Sequence, residues 1–291
     1  MKKVVFEGVG TAIITPFYDN YTVNFEELAK IVEFQIENKV DSIVVCGTTG
    51  EASTMPDDEH LSVIKFVVDK VAGRIPVIAG VGSNHTSHAV VLSKKAQDYG
   101  ADALLHVTPY YNKTSQKGLV AHFTEIANAV KIPIILYNVP SRTGMTIAPA
   151  TYKELSFLEN IVATKEASGN ITAIATAMNL CGDKLEFYSG NDDQIVPIMA
   201  LGARGVISVL SNVKPRETKA IADYALKGDY KSAAKMQVAM MPLINALFSD
   251  VNPIPVKEAM NMLGFNAGKC RLPLCGMDKD KKETLEKLLI K

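Results

Sequence analysis

The chain has 291 residues, 31 basic against 31 acidic, with 47% hydrophobic residues and four cysteines. That length exceeds a small disulfide- or metal-stapled domain and supports a large core. The zero net charge leaves no electrostatic footprint for nucleic acid, and no basic run marks a membrane surface, so neither partner is expected. The start, Met1-Lys2-Lys3-Val4-Val5-Phe6-Glu7, meets an acid before a signal-peptide core could form. No stretch approaches the apolar length of a membrane span. Cys46, Cys181, Cys270 and Cys275 are too scattered for a redox pair or a zinc site. Free thiols in a reducing cytoplasm, and no bound metal, are the expectation.

Strand-like runs alternate with helical patterns at intervals of roughly 25 to 35 residues. The strands predicted in chain order are Val9–Thr15, Ser42–Gly47, Pro76–Val81, Ala103–Thr108, Pro133–Val139, Ile161–Glu166, Glu186–Ser189 and Gly205–Val209. The first helix starts at Asn24, with Glu27 at capping-box spacing, and carries Leu28, Ile31, Val32 and Ile36 on one stripe. The next has Pro56 near its start, Leu61, Ile64, Val68 and Val71 on one face, and Gly73 as its stop. A third runs from His85 to Tyr99 and ends at Gly100. After the eighth strand, helices are predicted over Pro215–Lys227, Tyr230–Phe248, Ile254–Leu263 and Lys279–Leu289.

Eight such units predict an α/β fold, a (β/α)8 TIM barrel with a C-terminal helical appendage. Residues 1–228 read as the barrel and 229–291 as the appendage. A doubly wound sheet also alternates, but no GxGxxG follows the first strand. The polar residues of interest also fall at the ends of strands two, four, five, six, seven and eight, as a barrel gathers them around one mouth.

Strand two ends in Cys46-Gly47-Thr48-Thr49-Gly50-Glu51-Ala52 before a helix. Two hydroxyls and unhindered backbone N–H groups there suit a carboxylate or phosphate; an ordinary Gly-rich turn with Thr caps would read the same. No Gly-Lys-Ser/Thr follows, so it is not a P-loop. Strand four ends in Thr108-Pro109-Tyr110-Tyr111-Asn112, and strand five in Tyr137-Asn138-Val139-Pro140-Ser141-Arg142-Thr143-Gly144. Tyrosines at a mouth can carry protons or steady an oxyanion, or simply pack. Arg142 lies in a Pro/Gly-punctuated loop, where its fork suits a carboxylate or solvent. Lys165 sits in the apolar run Ile161-Val162-Ala163-Thr164-Lys165-Glu166-Ala167. An ammonium is costly to bury unpaired, and a neutral amine in a dry pocket is the nucleophile that forms a Schiff base. The alternative is a strand end from which Lys165 snorkels to water.

Gly47-Thr48-Thr49-Gly50-Glu51, Thr108-Pro109-Tyr110-Tyr111-Asn112, Tyr137 to Gly144, and Lys165 in Thr-Lys-Glu-Ala-Ser together resemble the dihydrodipicolinate synthase family. That family belongs to the pyruvate-dependent class I aldolase and lyase superfamily that includes N-acetylneuraminate lyase. The likeness runs over essentially the whole chain. It implies that Lys165 condenses with pyruvate to form an imine, that Thr48 and Thr49 hold the pyruvate carboxylate, and that Arg142 grips the carboxylate of L-aspartate 4-semialdehyde. It also implies that Tyr137, Thr48 and Tyr111 relay protons, and that Gly190 and Ile207 line the pyruvate pocket. The family's tyrosine at the Tyr111 position enters the neighbouring subunit's site, which implies a homo-oligomer, a dimer or tetramer. No cofactor is implied, because the lysine itself supplies the electron sink. The product would be 4-hydroxy-tetrahydrodipicolinate, at the head of the diaminopimelate branch of lysine biosynthesis.

One departure concerns regulation. Lysine-inhibited family members place a histidine and a glutamate where this chain has Asp57 and His88. Ala52, Ser53, His60, Asn84 and Tyr110 fall at the other positions of that effector site. The lost glutamate puts feedback inhibition in doubt. Two rival functions are a sugar-acid lyase of the same superfamily, which needs no clamp at Arg142, and a non-catalytic metabolite-binding barrel, which gains nothing from a buried amine.

Overall fold

A computed structural model describes residue 2 and residues 4–289. Its eight parallel strands are β1 Gly8–Ala12, β2 Ser42–Val45, β3 Val77–Gly80, β4 Ala103–Val107, β5 Ile134–Asn138, β6 Ile161–Glu166, β7 Glu186–Ser189 and β8 Gly205–Ser208. They pair in sequence order and close when β1 pairs with β8. The helices are α1 Phe25–Glu37, α2 Asp57–Val71, α3 Thr86–Asp98, α4 Gln116–Ala129, α5 Pro140–Thr143, α6 Pro149–Leu155, α7 Ile171–Cys181, α8 Ile195–Ala200, α9 Pro215–Leu226, α10 Tyr230–Leu247, α11 Ile254–Met262 and α12 Lys279–Leu289. This is the (β/α)8 barrel with helices appended after α9, as the alternation predicts.

Two apolar layers follow from the strand period of two. Val9, Ile43 and Ile134 face outward onto the helices. Ala12, Val44, Ile78, Leu105, Ile135 and Ile207 point inward and fill the barrel. At the N-terminal end, Phe6 stacks on Tyr188 with ring centroids 4.4 Å apart. The Tyr188 hydroxyl donates to the Phe6 carbonyl at 2.6 Å, so the barrel is plugged below.

The strand ends are shorter than expected at the mouth. The Ile13 amide still donates to Val44 at 3.1 Å, but the Thr15 hydroxyl has turned to the Gly50 carbonyl. Residues leaving the ladder there become the loops of the site. The α1 cap is half of what its spacing suggests. Asn24 Oδ1 accepts from the Glu27 amide at 3.0 Å, but the Glu27 carboxylate is elsewhere, bonded to Lys30 and to the Asn266 amide. The Asn24 amide donates instead to Pro16. Pro56 is the residue before α2 rather than inside it, and Ala72, in the left-handed region, is its C-cap just ahead of Gly73.

Candidate active site

The site begins with the turn after β2. Cys46 and Glu51 both take left-handed backbone angles (φ 54° and 56°), which only a well-braced loop sustains in residues with a Cβ. The Gly50 and Glu51 amides fold back onto the Gly47 and Thr48 carbonyls. The amides of Thr48 and Thr49 make no hydrogen bond among the described residues, so this turn presents free N–H donors beside two hydroxyls. The brace is Glu51. Its carboxylate meets Lys257 Nζ at 2.8 Å, and both side chains are almost wholly buried. The other carboxylate oxygen accepts from the Arg271 amide at 2.9 Å. Burial pulls the Lys257 ammonium below the usual lysine range, and the Glu51 charge opposes that.

Across the barrel, β5 and β6 shift register between Ile134 and Ile135 and then pair with Tyr137 beside Lys165 and Asn138 beside Glu166. Strand alternation sends Lys165 inward and Thr164 and Glu166 outward. Thr164 and Glu166 bond Tyr152 on the outer layer, and Asn138 donates to Glu166 at 2.9 Å, which locks both strands in place. Lys165 is 6% exposed, and its Nζ lies 4.3 Å from the centroid of the Tyr137 ring. The lysine is therefore buried and does not reach solvent from a strand end. Gly190 follows β7. A Cβ there would come 2.8 Å from Ala167 Cβ and 3.1 Å from Lys165 Cγ, so only glycine lets β7 pass this close to the lysine stem. Ile207, on β8, is fully buried in the same inner layer.

Arg142 sits on the helical turn α5, not on a loop, because Pro140 fixes the start of that turn and Gly144 its end. It is exposed, and its Nη2 donates to the Asn252 carbonyl at 3.1 Å. Thr48, Tyr137 and Arg142 line one cavity of about 370 Å³. Tyr111 does not join them: it is 92% exposed with a left-handed φ of 68° and is not among the residues lining this chain's own cavity.

Ala52, Ser53, Asp57, His60, His88 and Tyr110 line that same cavity. Within it, His88 Nε2 lies 2.9 and 3.0 Å from the Asp57 carboxylate oxygens, and Nδ1 is 3.1 Å from Ser83 Oγ. The carboxylate and imidazole are thus bonded to one another. His60 is buried and bonded to the Gly80 carbonyl at 2.8 Å, and burial lowers its pKa. Asn84 donates to the Tyr110 carbonyl and accepts at its own carbonyl from Asn112, which ties the β3 and β4 loops together.

Two further residues were not legible as site residues. Asp192 reads as part of a turn in Gly190-Asn191-Asp192-Asp193, yet it is fully buried and takes the Val209 and Leu210 amides at 3.0 and 2.8 Å. Burial pushes its carboxyl up, while Ser208, those two amides and the Lys165 charge pull it back. Asn252 precedes a proline between two helices, and no spacing connects it to strand two. Its Nδ2 donates to Thr49 Oγ1 at 3.0 Å. All four cysteines are free, and no cluster of three metal-ligating side chains occurs among the described residues. Nor is any described helix long and apolar enough to cross a membrane.

The chain matches the model of the dihydrodipicolinate synthetase family over residues 5–291. It is 63% identical over 286 residues to a 4-hydroxy-tetrahydrodipicolinate synthase of Caldicellulosiruptor saccharolyticus, covering 98% of this chain and 97% of that one. The structure of a dihydrodipicolinate synthase from Aquifex aeolicus superposes with a TM-score of 0.96 at 45% identity, over 98% of this chain and 97% of that one. A Cyanidioschyzon merolae homologue, whose structure holds bound lysine, superposes with a TM-score of 0.96 at 38% identity, over 99% and 98% of the two chains. Likeness at this level spans the barrel, its mouth and the appended helices, and the chain belongs to the dihydrodipicolinate synthetase family.

Proposed function

We propose that this protein condenses pyruvate with L-aspartate 4-semialdehyde to give 4-hydroxy-tetrahydrodipicolinate. The observation that carries the reading is the buried Lys165 amine, aimed into the barrel and seated over the Tyr137 ring. Lys165 attacks the pyruvate ketone, water leaves, and an imine forms. The protonated imine draws electrons from the methyl group, a proton departs, and the enamine carbon attacks the aldehyde. The aldehyde oxygen takes a proton and becomes a hydroxyl. The semialdehyde's own amine then attacks the imine carbon, closes the ring and releases Lys165.

Tyr137, Thr48 and Tyr111 carry the protons in this scheme, with Tyr111 supplied by a neighbouring subunit of a homo-oligomer. The exposure of Tyr111 in a single chain supports that assignment. Thr49 and the free amides of its turn take the pyruvate carboxylate, Arg142 takes that of the semialdehyde, and Gly190 and Ile207 shape the pyruvate pocket. The domain boundary falls between residues 228 and 229, with the catalytic barrel before it and, after it, appended helices that brace the mouth through Asn252 and Lys257. A cytoplasmic location fits the four free thiols.

Incubation with pyruvate and borohydride tests the reading. A pyruvate-derived adduct on Lys165 is expected, together with turnover of both substrates in an assay coupled to a downstream reductase. Labelling of another residue, or no labelling, overturns it.

A further inference from the structure

We propose that Asn252 is a positioning residue that aims both carboxylate-binding groups, one for each substrate. The proposal rests on the functional reading above. Asn252 lies on the segment that leads from α10 to α11, outside the barrel, yet it is 7% exposed and touches the site twice. Its Nδ2 donates to Thr49 Oγ1 at 3.0 Å, and Thr49 is itself buried. A hydroxyl has one proton to give. With its oxygen receiving the Asn252 N–H, that proton must turn to another acceptor, and Thr49 donates to none among the described residues. An incoming carboxylate is the acceptor the turn lacks, and the idle amides of Thr48 and Thr49 face the same need.

The second contact acts on Arg142. Its Nη2 donates to the Asn252 carbonyl at 3.1 Å. No described carboxylate lies within ion-pair distance of this guanidinium, and its one hydrogen bond among the described residues is to that carbonyl, so one donor is held and the others are left for a ligand. One residue thereby turns a hydroxyl into a donor for the first substrate and orients a cation for the second. Asn252 Oδ1 is buried and has no partner. Turning the amide over would give that oxygen the Thr49 proton but strand two N–H donors in its place, and Thr49 would then have no proton to offer.

The test is a double-mutant cycle with full kinetics. We compare the wild type with Asn252→Ala, Asn252→Asp, Thr49→Val and the Asn252→Ala/Thr49→Val double variant. KM for each substrate, kcat, thermal midpoint and borohydride labelling at saturating pyruvate are measured for each. Asn252→Ala should raise KM for pyruvate about tenfold, with a smaller rise for the semialdehyde because the main-chain carbonyl remains. Labelling at saturating pyruvate should stay complete. Asn252→Asp keeps the shape but accepts the Thr49 proton, so it should raise KM for pyruvate further than the alanine does. The double variant should be no worse than Thr49→Val alone.

Additive effects in the cycle, an aspartate variant that behaves like the wild type, or a fall in thermal midpoint and kcat with both KM values unchanged would each overturn the proposal. If the wild type itself forms no pyruvate adduct, the functional reading fails instead, whatever the Asn252 variants do.

Discussion

Lys165 combines burial with reach. Its stem runs past Gly190 and its amine rests on the Tyr137 ring, so neither neighbour can change freely. Arg142 is the opposite case, exposed and held by a single carbonyl. If it clamps the semialdehyde's carboxylate, Arg142→Ala should damage use of that substrate far more than pyruvate adduct formation. The loss should be roughly 2 to 4 kcal/mol of transition-state binding, read from kcat/KM for the semialdehyde. Equal loss in both steps would make Arg142 a structural residue only. At this scale the sequence was most informative where a residue type conflicts with its surroundings, as a lysine does in an apolar strand. It was silent on Asn252, because a polar residue before a proline is what any turn contains.

Among the elements, the loop after β2 and the first turn of α11 are joined by the Glu51–Lys257 pair. Removing one partner leaves an uncompensated buried charge, at a cost of about 3 to 5 kcal/mol. Glu51→Gln and Lys257→Met should each lower the thermal midpoint by several degrees, and each should raise KM for pyruvate because the turn carrying Thr48 and Thr49 loses its brace. The double variant should recover much of the stability. Recovery of stability without recovery of KM would show that the loop needs the charge itself and not merely a filled space. The barrel, its eight strands and the four late helices could be read from periodicity and caps, since those signals are local. The pairing of Glu51 with Lys257 could not, because nothing local encodes a contact over 206 residues. The capping box at Asn24 misled for a related reason: a tertiary partner, the Asn266 amide, captured Glu27.

For the molecule as a whole, three measurements follow. The first concerns acid. Burial holds His106 down at about 3 and His122 at about 4, each with one ring nitrogen lacking a partner. Their folded values lie below the unfolded value near 6.5, so the unfolded chain binds protons that the native one refuses. The resulting stability is present above about pH 6.5 and is lost as pH falls towards 4 and below. Each histidine should cost roughly 2 kcal/mol at pH 5, and thermal midpoints between pH 7 and 5 should fall less in a His106→Asn/His122→Asn variant. The second concerns assembly. Tyr111→Phe should fold and form the pyruvate adduct but turn over slowly, and mixing it with Lys165→Ala should restore activity if subunits exchange and share sites. Full activity in a monomer would refute the shared site. The third concerns L-lysine. The resemblance places His88 where lysine-inhibited family members have a glutamate, and Asp57 is already engaged by His88. The missing charge-assisted contact should cost roughly 1.5 to 3 kcal/mol, about one to two orders of magnitude in affinity. Initial rates against lysine should show half-inhibition above about a millimolar; inhibition below that would mean the Asp57–His88 pair still receives the effector.

The contacts from the appended helices into the mouth also carry a consequence for how the enzyme is made. Thr49 and Glu51 leave the ribosome more than 200 residues ahead of Asn252 and Lys257. At about 5 to 20 residues per second, the gap lasts on the order of 10 to 40 seconds. Throughout that interval the turn carrying Thr48 and Thr49 stands without the Asn252 amide and the Lys257 ammonium that hold it, so the last segment to be made is the one that completes the mouth.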